Sequence, residues 1–289
     1  MEYAFEHLFS EYLDAVRGDL KSIKRIECAE VALHRHFAGR DMTTLRRLDI
    51  SSYIQSRRKV GRANGTINRE IDILSAAINY AIKHWEWPLP NPTRNMSLKM
   101  PEGRLRWLTR DEAQRLVMCA EAGLNHCLGS FINLALNTGM RLNEMLGLEW
   151  HRVDIEQRRI QLDGQHTKSG KRRFIPLNRH AQDALRERQA FRMEHCPRSR
   201  WVFAWPDGRR VTRLYEQFQT AKKRAGIDDF RIHDLRHTFA SWLVSSGVPL
   251  TEVRDLLGHA SVRETERYAH LAPNRLREAV EQLELPLAA

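Results

Sequence analysis

No stretch of this chain stays apolar for anything near the ~18 residues that a bilayer-spanning helix needs, so no membrane span is expected. The first residues, Met1-Glu2-Tyr3-Ala4-Phe5-Glu6, lack the charged-then-apolar order of a secretory signal. Cysteine is scarce. Cys28, Cys119, Cys127 and Cys196 form no C-x-x-C pair and no framework spacing, which excludes a disulfide scaffold. All four are expected to be ordinary buried thiols of a reducing cytosol. No internal repeat or low-complexity segment interrupts the sequence.

What is present is length and positive charge. At 289 residues and 42% hydrophobic composition there is room for two domains with a substantial core. The formal charge of +11 points to a polyanionic partner. Residues 1–100 hold +4 of it and the remainder +7, so both halves can face one ligand. Of the 47 basic residues 38 are arginine, whose planar fork suits phosphate, although arginine usage also follows the base composition of a genome.

Apolar spacing predicts helices over the first ~85 residues. Phe5, Phe9, Tyr12 and Val16 share one face, and Ile67, Ile71, Leu74, Ile78 and Ile82 mark a longer helix with Thr66 as its expected N-cap. Three prolines in Trp85-Glu86-Trp87-Pro88-Leu89-Pro90-Asn91-Pro92 break the pattern. The expected division is a helical domain over 1–90, a basic linker over 91–106 and a second domain over 107–289. Thr109-Arg110-Asp111-Glu112 reads as a capping box. An apolar helix from Cys127 should stop near Thr138-Gly139, and Arg141 should open the next. Around Ile160, Leu162, Phe174, Ile175 and Leu177 the period becomes strand-like, giving a β-hairpin candidate. Helices resume over 179–192, 213–224, 234–246 and 251–257, and Leu276, Ala279, Val280 and Leu283 form a last apolar stripe. The fold class is mostly α, with a small antiparallel sheet in the second domain.

Several basic clusters carry the chemistry: Thr138-Gly139-Met140-Arg141, Thr167-Lys168, His233-Asp234-Leu235-Arg236-His237, and Leu257-Gly258-His259 followed by Thr265-Glu266-Arg267-Tyr268-Ala269-His270. Arg141, Lys168, His233, Arg236, His259 and Tyr268 make a set suited to attacking a phosphodiester without a metal. Arginines neutralise non-bridging oxygens, tyrosine supplies a nucleophile, and lysine and histidine move protons. Each has a plainer reading. Arg141 fits a surface arginine paired with Glu144 at i,i+3, Lys168 a solvated turn lysine, and His259 a helix-end residue favoured by the macrodipole. His233 and His237 stand at i,i+4, the spacing of a zinc protease signature. Asp234 in place of the glutamate base, and Arg236 beside the proposed metal, count against that. His237, Tyr53, Tyr80 and Tyr215 read as packing residues.

Taken in order and spacing, these residues resemble the tyrosine recombinase (phage integrase) family. The match lies in Arg141-Leu142-Asn143-Glu144 after Thr-Gly, and in Thr167-Lys168 running through Arg172-Arg173 to Ile175-Pro176-Leu177. It continues in His233 with Arg236, in Leu257-Gly258-His259, and in Tyr268 nine residues beyond His259. Thr66-Ile67-Asn68-Arg69 and Asn91-Pro92 are similar to the family's core-binding domain. The resemblance implies catalytic roles for Arg141, Lys168, His233, Arg236, His259 and Tyr268. It implies that Glu144 orients a neighbour, with Lys171 a rival for the lysine because hairpin register is weakly fixed by sequence. No metal and no other cofactor is implied. Implied partners are double-stranded DNA, gripped by a C-shaped clamp, a tetrameric synaptic complex of this chain on it, and accessory DNA-bending proteins. The implied setting is the cytoplasmic nucleoid. No arm-binding domain is expected ahead of the helical region, which leaves a mobile-element integrase, an Xer-like chromosome recombinase and a truncated integrase open. The alternatives are a type IB topoisomerase, a DNA-binding regulator without catalysis, and a metal-dependent hydrolase. Residues Pro273–Leu285 either pack on their own domain or dock on a neighbouring protomer.

Overall fold

Apolar stripes at helical spacing set the first unit of this computed structural model, which describes residues 2–18, 23–101, 104–164, 172–273 and 280. The chain divides into residues 1–103 and 104–289. Helix α1 (Phe5–Val16) buries Phe5, Leu8, Phe9, Tyr12 and Val16. With α2 (Ile23–Phe37) and α3 (Arg47–Lys59) it packs on α4 (Asn64–His84), which presents Ile67, Ile71, Leu74, Ile78 and Ala81 to the shared core. Ile82, expected on that face, is 38% exposed. The N-cap of α4 is Ala63 rather than Thr66. The helix starts earlier because Asn64 and Asn68 are held by later chain, their amides donating to Lys99 O and Leu98 O at 2.8 Å. Asn91 likewise donates to Asn79 Oδ1 at 2.7 Å, so residues 91–99 return along α4.

The second unit opens with α5 (Arg110–Glu121), capped reciprocally by Thr109 and Glu112 as the sequence predicts. Helix α6 (Leu128–Thr138) is apolar nearly all round and is therefore central. It packs against α5, α8 (Arg179–His195) and α10 (Asp234–Ser245), and α9 (Tyr215–Arg224) closes over α5. Between α6 and α8 come the short α7 (Leu142–Leu146) and an antiparallel sheet of three strands. Strand β2 (Arg159–Leu162) lies between β1 (Val153–Asp154) and β3 (Arg173–Pro176), with Ile160 opposite Ile175 and Leu162 opposite Arg173. Helices α11 (Leu250–Leu257) and α12 (Arg263–Glu266) follow, and a short 3-10 turn over Ala269–Leu271 comes directly after Tyr268. The fold is mostly α with one small antiparallel sheet.

Two plainer expectations need correction. Cys28 is exposed, because it sits on the solvent side of α2, and Cys119 is only partly buried. Tyr215 is 66% exposed at the first residue of α9, on the solvent side, while its neighbour Leu214 takes the core position. Most of the residues predicted for the last helix lie outside the described residues, as do Lys168 and Lys171.

Candidate active site

Two left-handed glycines bring the site together. Gly139 ends α6 at φ +61° and Gly258 ends α11 at φ +64°. A Cβ on Gly139 would fall 2.4 Å from the Phe239 ring, and one on Gly258 would fall 2.9 Å from the Arg173 guanidinium, so both turns need glycine for space as well as conformation. Arg141 follows the first turn as the N-cap of α7. Its backbone N–H donates to Glu144 Oε2 at 3.0 Å, Nη1 donates to Glu144 Oε1 at 3.1 Å, and Nη2 reaches Gly258 O at 3.3 Å.

Arg236, on the first turn of α10, is 4% exposed. It donates from Nη1 to Gly139 O at 2.7 Å and from Nη2 to Leu257 O at 2.8 Å. These carbonyls lie at the negative ends of α6 and α11, where a cation is favoured. Burial, and then the charge of Arg141, lower its pKa to about 9, which leaves it cationic at neutral pH. Glu144 is held below the usual carboxylate range. Burial is the largest single influence and opposes this, but Arg173, donating from Nη1 and Nη2 at 3.2 and 2.7 Å, and Arg141 together outweigh it.

Three histidines face the same cleft, and burial holds the pKa of each down. His233 caps α10, with Arg236 as its second depressing influence. His259 follows Gly258, shares a 2.8 Å hydrogen bond between Nδ1 and Thr265 Oγ1, and falls to about 3. His237 falls to about 4. The ring of Tyr268 is 1% exposed and packs with Ala240, Val244, Val253 and Leu257. Burial pushes its phenol up to about 12, against the opposing pull of Arg267 and Arg236. Its hydroxyl lies 2.5 Å from His237 Nδ1.

Arg141, His233, Arg236, His237, His259 and Tyr268 line one cleft of about 460 Å³ together with Arg263, Glu264 and Arg267. Five of the six residues singled out from the sequence thus meet in one place; the sixth, Lys168, lies outside the described residues. Cationic guanidiniums beside neutral imidazoles make a site for a phosphate with a phenol at hand. Sequence reasoning missed Arg173, Arg263 and Arg267, and it set His237 aside as packing. Arg173 had a signal in its place before Phe174-Ile175-Pro176. Nothing in the sequence pairs His237 with a residue 31 positions away.

The profile described as the phage integrase family matches residues 106–275. The integrase of Salmonella phage P22 is 35% identical over 69% of this chain, and the match spans about half of that relative, 52% of its length. Tyrosine recombinase XerC of Azotobacter vinelandii is 29% identical over 90% of this chain and 85% of its own. Among solved structures, the Tn1549 transposon integrase in complex with transposon right end DNA superposes with a TM-score of 0.79 at 19% identity, covering 96% of this chain and 98% of that one. The profile covers more than half of the chain, including every described residue of the cleft, and the chain belongs to the phage integrase family of tyrosine recombinases.

Proposed function

We propose that this protein is a site-specific recombinase that cuts and rejoins double-stranded DNA through a 3′-phosphotyrosine at Tyr268, without a metal. The observation that carries the reading is the placement of the Tyr268 hydroxyl in one cleft with Arg141 and Arg236. A scissile phosphate seated there meets both guanidiniums and the imidazoles of His233 and His259. The phenol oxygen attacks phosphorus and the bond to the 5′-oxygen breaks. Charge that grows on the non-bridging oxygens falls on donors already held in place. Arg236 is fixed by two carbonyls and Arg141 by Glu144, so neither has to reorganise as charge develops. Lys168 is assigned by its motif as the acid for the departing 5′-oxygen. The 5′-hydroxyl of a partner strand then attacks the phosphotyrosine and reverses the step at a new junction.

The first helical unit serves as a second DNA-binding body, and residues near its boundary with the catalytic unit join the two. Assembly is a tetramer on two DNA sites, aided by accessory DNA-bending proteins, in the nucleoid of a cell carrying a mobile element. The relatives' printed names support recombination over relaxation, as does the integrase solved with its transposon-end DNA. The test is a plasmid carrying two copies of the DNA that flanks the gene, incubated with the protein in excess EDTA. Exchange between the copies is expected; relaxation of supercoils without exchange would favour a type IB topoisomerase.

A further inference from the structure

Among the described residues His237 alone touches the Tyr268 hydroxyl, with Nδ1 2.5 Å from it, and the cleavage step as written leaves the phenol's proton without a destination. We propose that His237 takes the proton from Tyr268 as its oxygen attacks phosphorus, and returns it when the phosphotyrosine bond is broken. This rests on the reading of Tyr268 as nucleophile. In the forward step the O–H bond of Tyr268 breaks, its oxygen bonds to phosphorus, and the proton moves to Nδ1. The bond to the 5′-oxygen breaks as that oxygen gains a proton from Lys168. In the reverse step the incoming 5′-hydroxyl gives its proton back to Lys168, and the leaving phenolate recovers its own from His237. Protons and charge balance over the cycle.

Geometry fits the role from several sides. His237 is on the first turn of α10, one residue after Arg236, so the same helix start that positions the phosphate grip also positions the base. The Tyr268 ring is fixed by its packing on Ala240, Val244, Val253 and Leu257, which holds the hydroxyl against Nδ1. The groups acting on His237 are His233 and Arg236 from its own helix, Arg267 beside Tyr268, and Arg104. Burial and this cationic company keep the imidazole neutral, hence free to accept a proton. An arriving phosphate brings negative charge into the same cleft and relieves that suppression, so the base gains strength when substrate is seated. The phenol, raised by burial, does not ionise in the resting protein.

The experiment is single-turnover cleavage by the full chain carrying His237→Ala or His237→Asn, with DNA binding measured alongside. Asparagine places an acceptor oxygen near the position of Nδ1 but cannot hold a proton. Both variants should bind DNA and cleave ~10²–10⁴-fold more slowly, the range for a positioned base. Replacing Tyr268 with a trifluorinated tyrosine, a more acidic phenol, should restore much of the rate in the His237→Asn background. A 5′-bridging phosphorothiolate, whose sulfur leaves unprotonated, should not. Native cleavage by His237→Asn would overturn the proposal and reduce His237 to a positioning hydrogen bond. Rescue by the phosphorothiolate instead of the fluorinated tyrosine would move its role to the other oxygen. Should both variants lose DNA binding, the unaltered chain still decides: between pH 7 and 8, below the range where Arg236 loses its charge, base assistance predicts a rate plateau and unassisted ionisation predicts a tenfold rise. An unaltered chain that forms no adduct at Tyr268 at all would overturn the nucleophile reading itself.

Discussion

Arg141 and Arg236 bring the same charge to one cleft and are held in different ways. Arg141 leans on the carboxylate of Glu144, whereas Arg236 joins the carbonyl ends of two helices while almost fully buried. Lysine at either place keeps the charge but loses the fork. Cleavage should fall by ~2.7–4 kcal/mol in transition-state stabilisation for each. Arg236→Lys should also lower the melting temperature, because one ammonium cannot satisfy Gly139 O and Leu257 O as the guanidinium does; Arg141→Lys should leave it nearly unchanged. Equal melting temperatures in the two variants would remove the structural role assigned to Arg236. The depressed histidines give a second prediction. His237 and His259 stay neutral down to about pH 4 and 3, while the unfolded chain protonates near 6.5. Between those values the unfolded state binds more protons, so stability is complete above about pH 6.5 and declines as the pH falls. Melting curves from pH 7.5 to 4.5 check the sign, and His259→Asn should flatten the acid limb. Tyr268 was legible because its distance from His259 is a local spacing. The bond from His237 to Tyr268 was not, since it depends on how α10 meets the segment after α12.

Strand β3 acts as more than an edge of the sheet. Its first residue, Arg173, grips Glu144 with two hydrogen bonds and lies against Gly258, tying the strand to the turn that carries Arg141 and to the turn that carries His259. Arg173→Met should leave the buried Glu144 with less compensation and cost about 3–5 kcal/mol of stability. Cleavage should drop further than DNA binding; urea unfolding and adduct formation measure the two. A variant of native stability would show that Arg141 alone satisfies Glu144. At this scale helices with regular stripes, α1, α4 and α6, were legible, as was the cap of α5. Strand β1 was not, because two residues carry no periodicity. The start of α4 was misplaced because Asn64 and Asn68 take partners from beyond residue 97, a tertiary preference that local cap rules do not contain.

Across the whole molecule, charge and topology set the limits. Net charge of +11 spread over both units predicts DNA affinity that falls steeply with salt, by about 0.9 log units per log unit of salt for every phosphate contacted. Removing the residues after Asn274 should spare folding and binding to a single site, yet prevent the synaptic complex. Sedimentation on DNA reads this directly, and full complexes from the shortened chain would place the tail on its own domain. Composition made the polyanion legible, and motif order made the family legible. The division of the chain was blurred: residues 91–99 look like a linker by charge and proline content, but their backbone is bound along α4.

In the proposed reaction Tyr268 becomes covalently joined to DNA. The protein is trapped on a nicked substrate that loses its 5′-end, in excess EDTA, then digested with protease and read by mass spectrometry. A 3′-phosphate ester on Tyr268, absent from Tyr268→Phe although that variant still binds the DNA, is the predicted result. An adduct on another residue, or one undiminished in Tyr268→Phe, would contradict it.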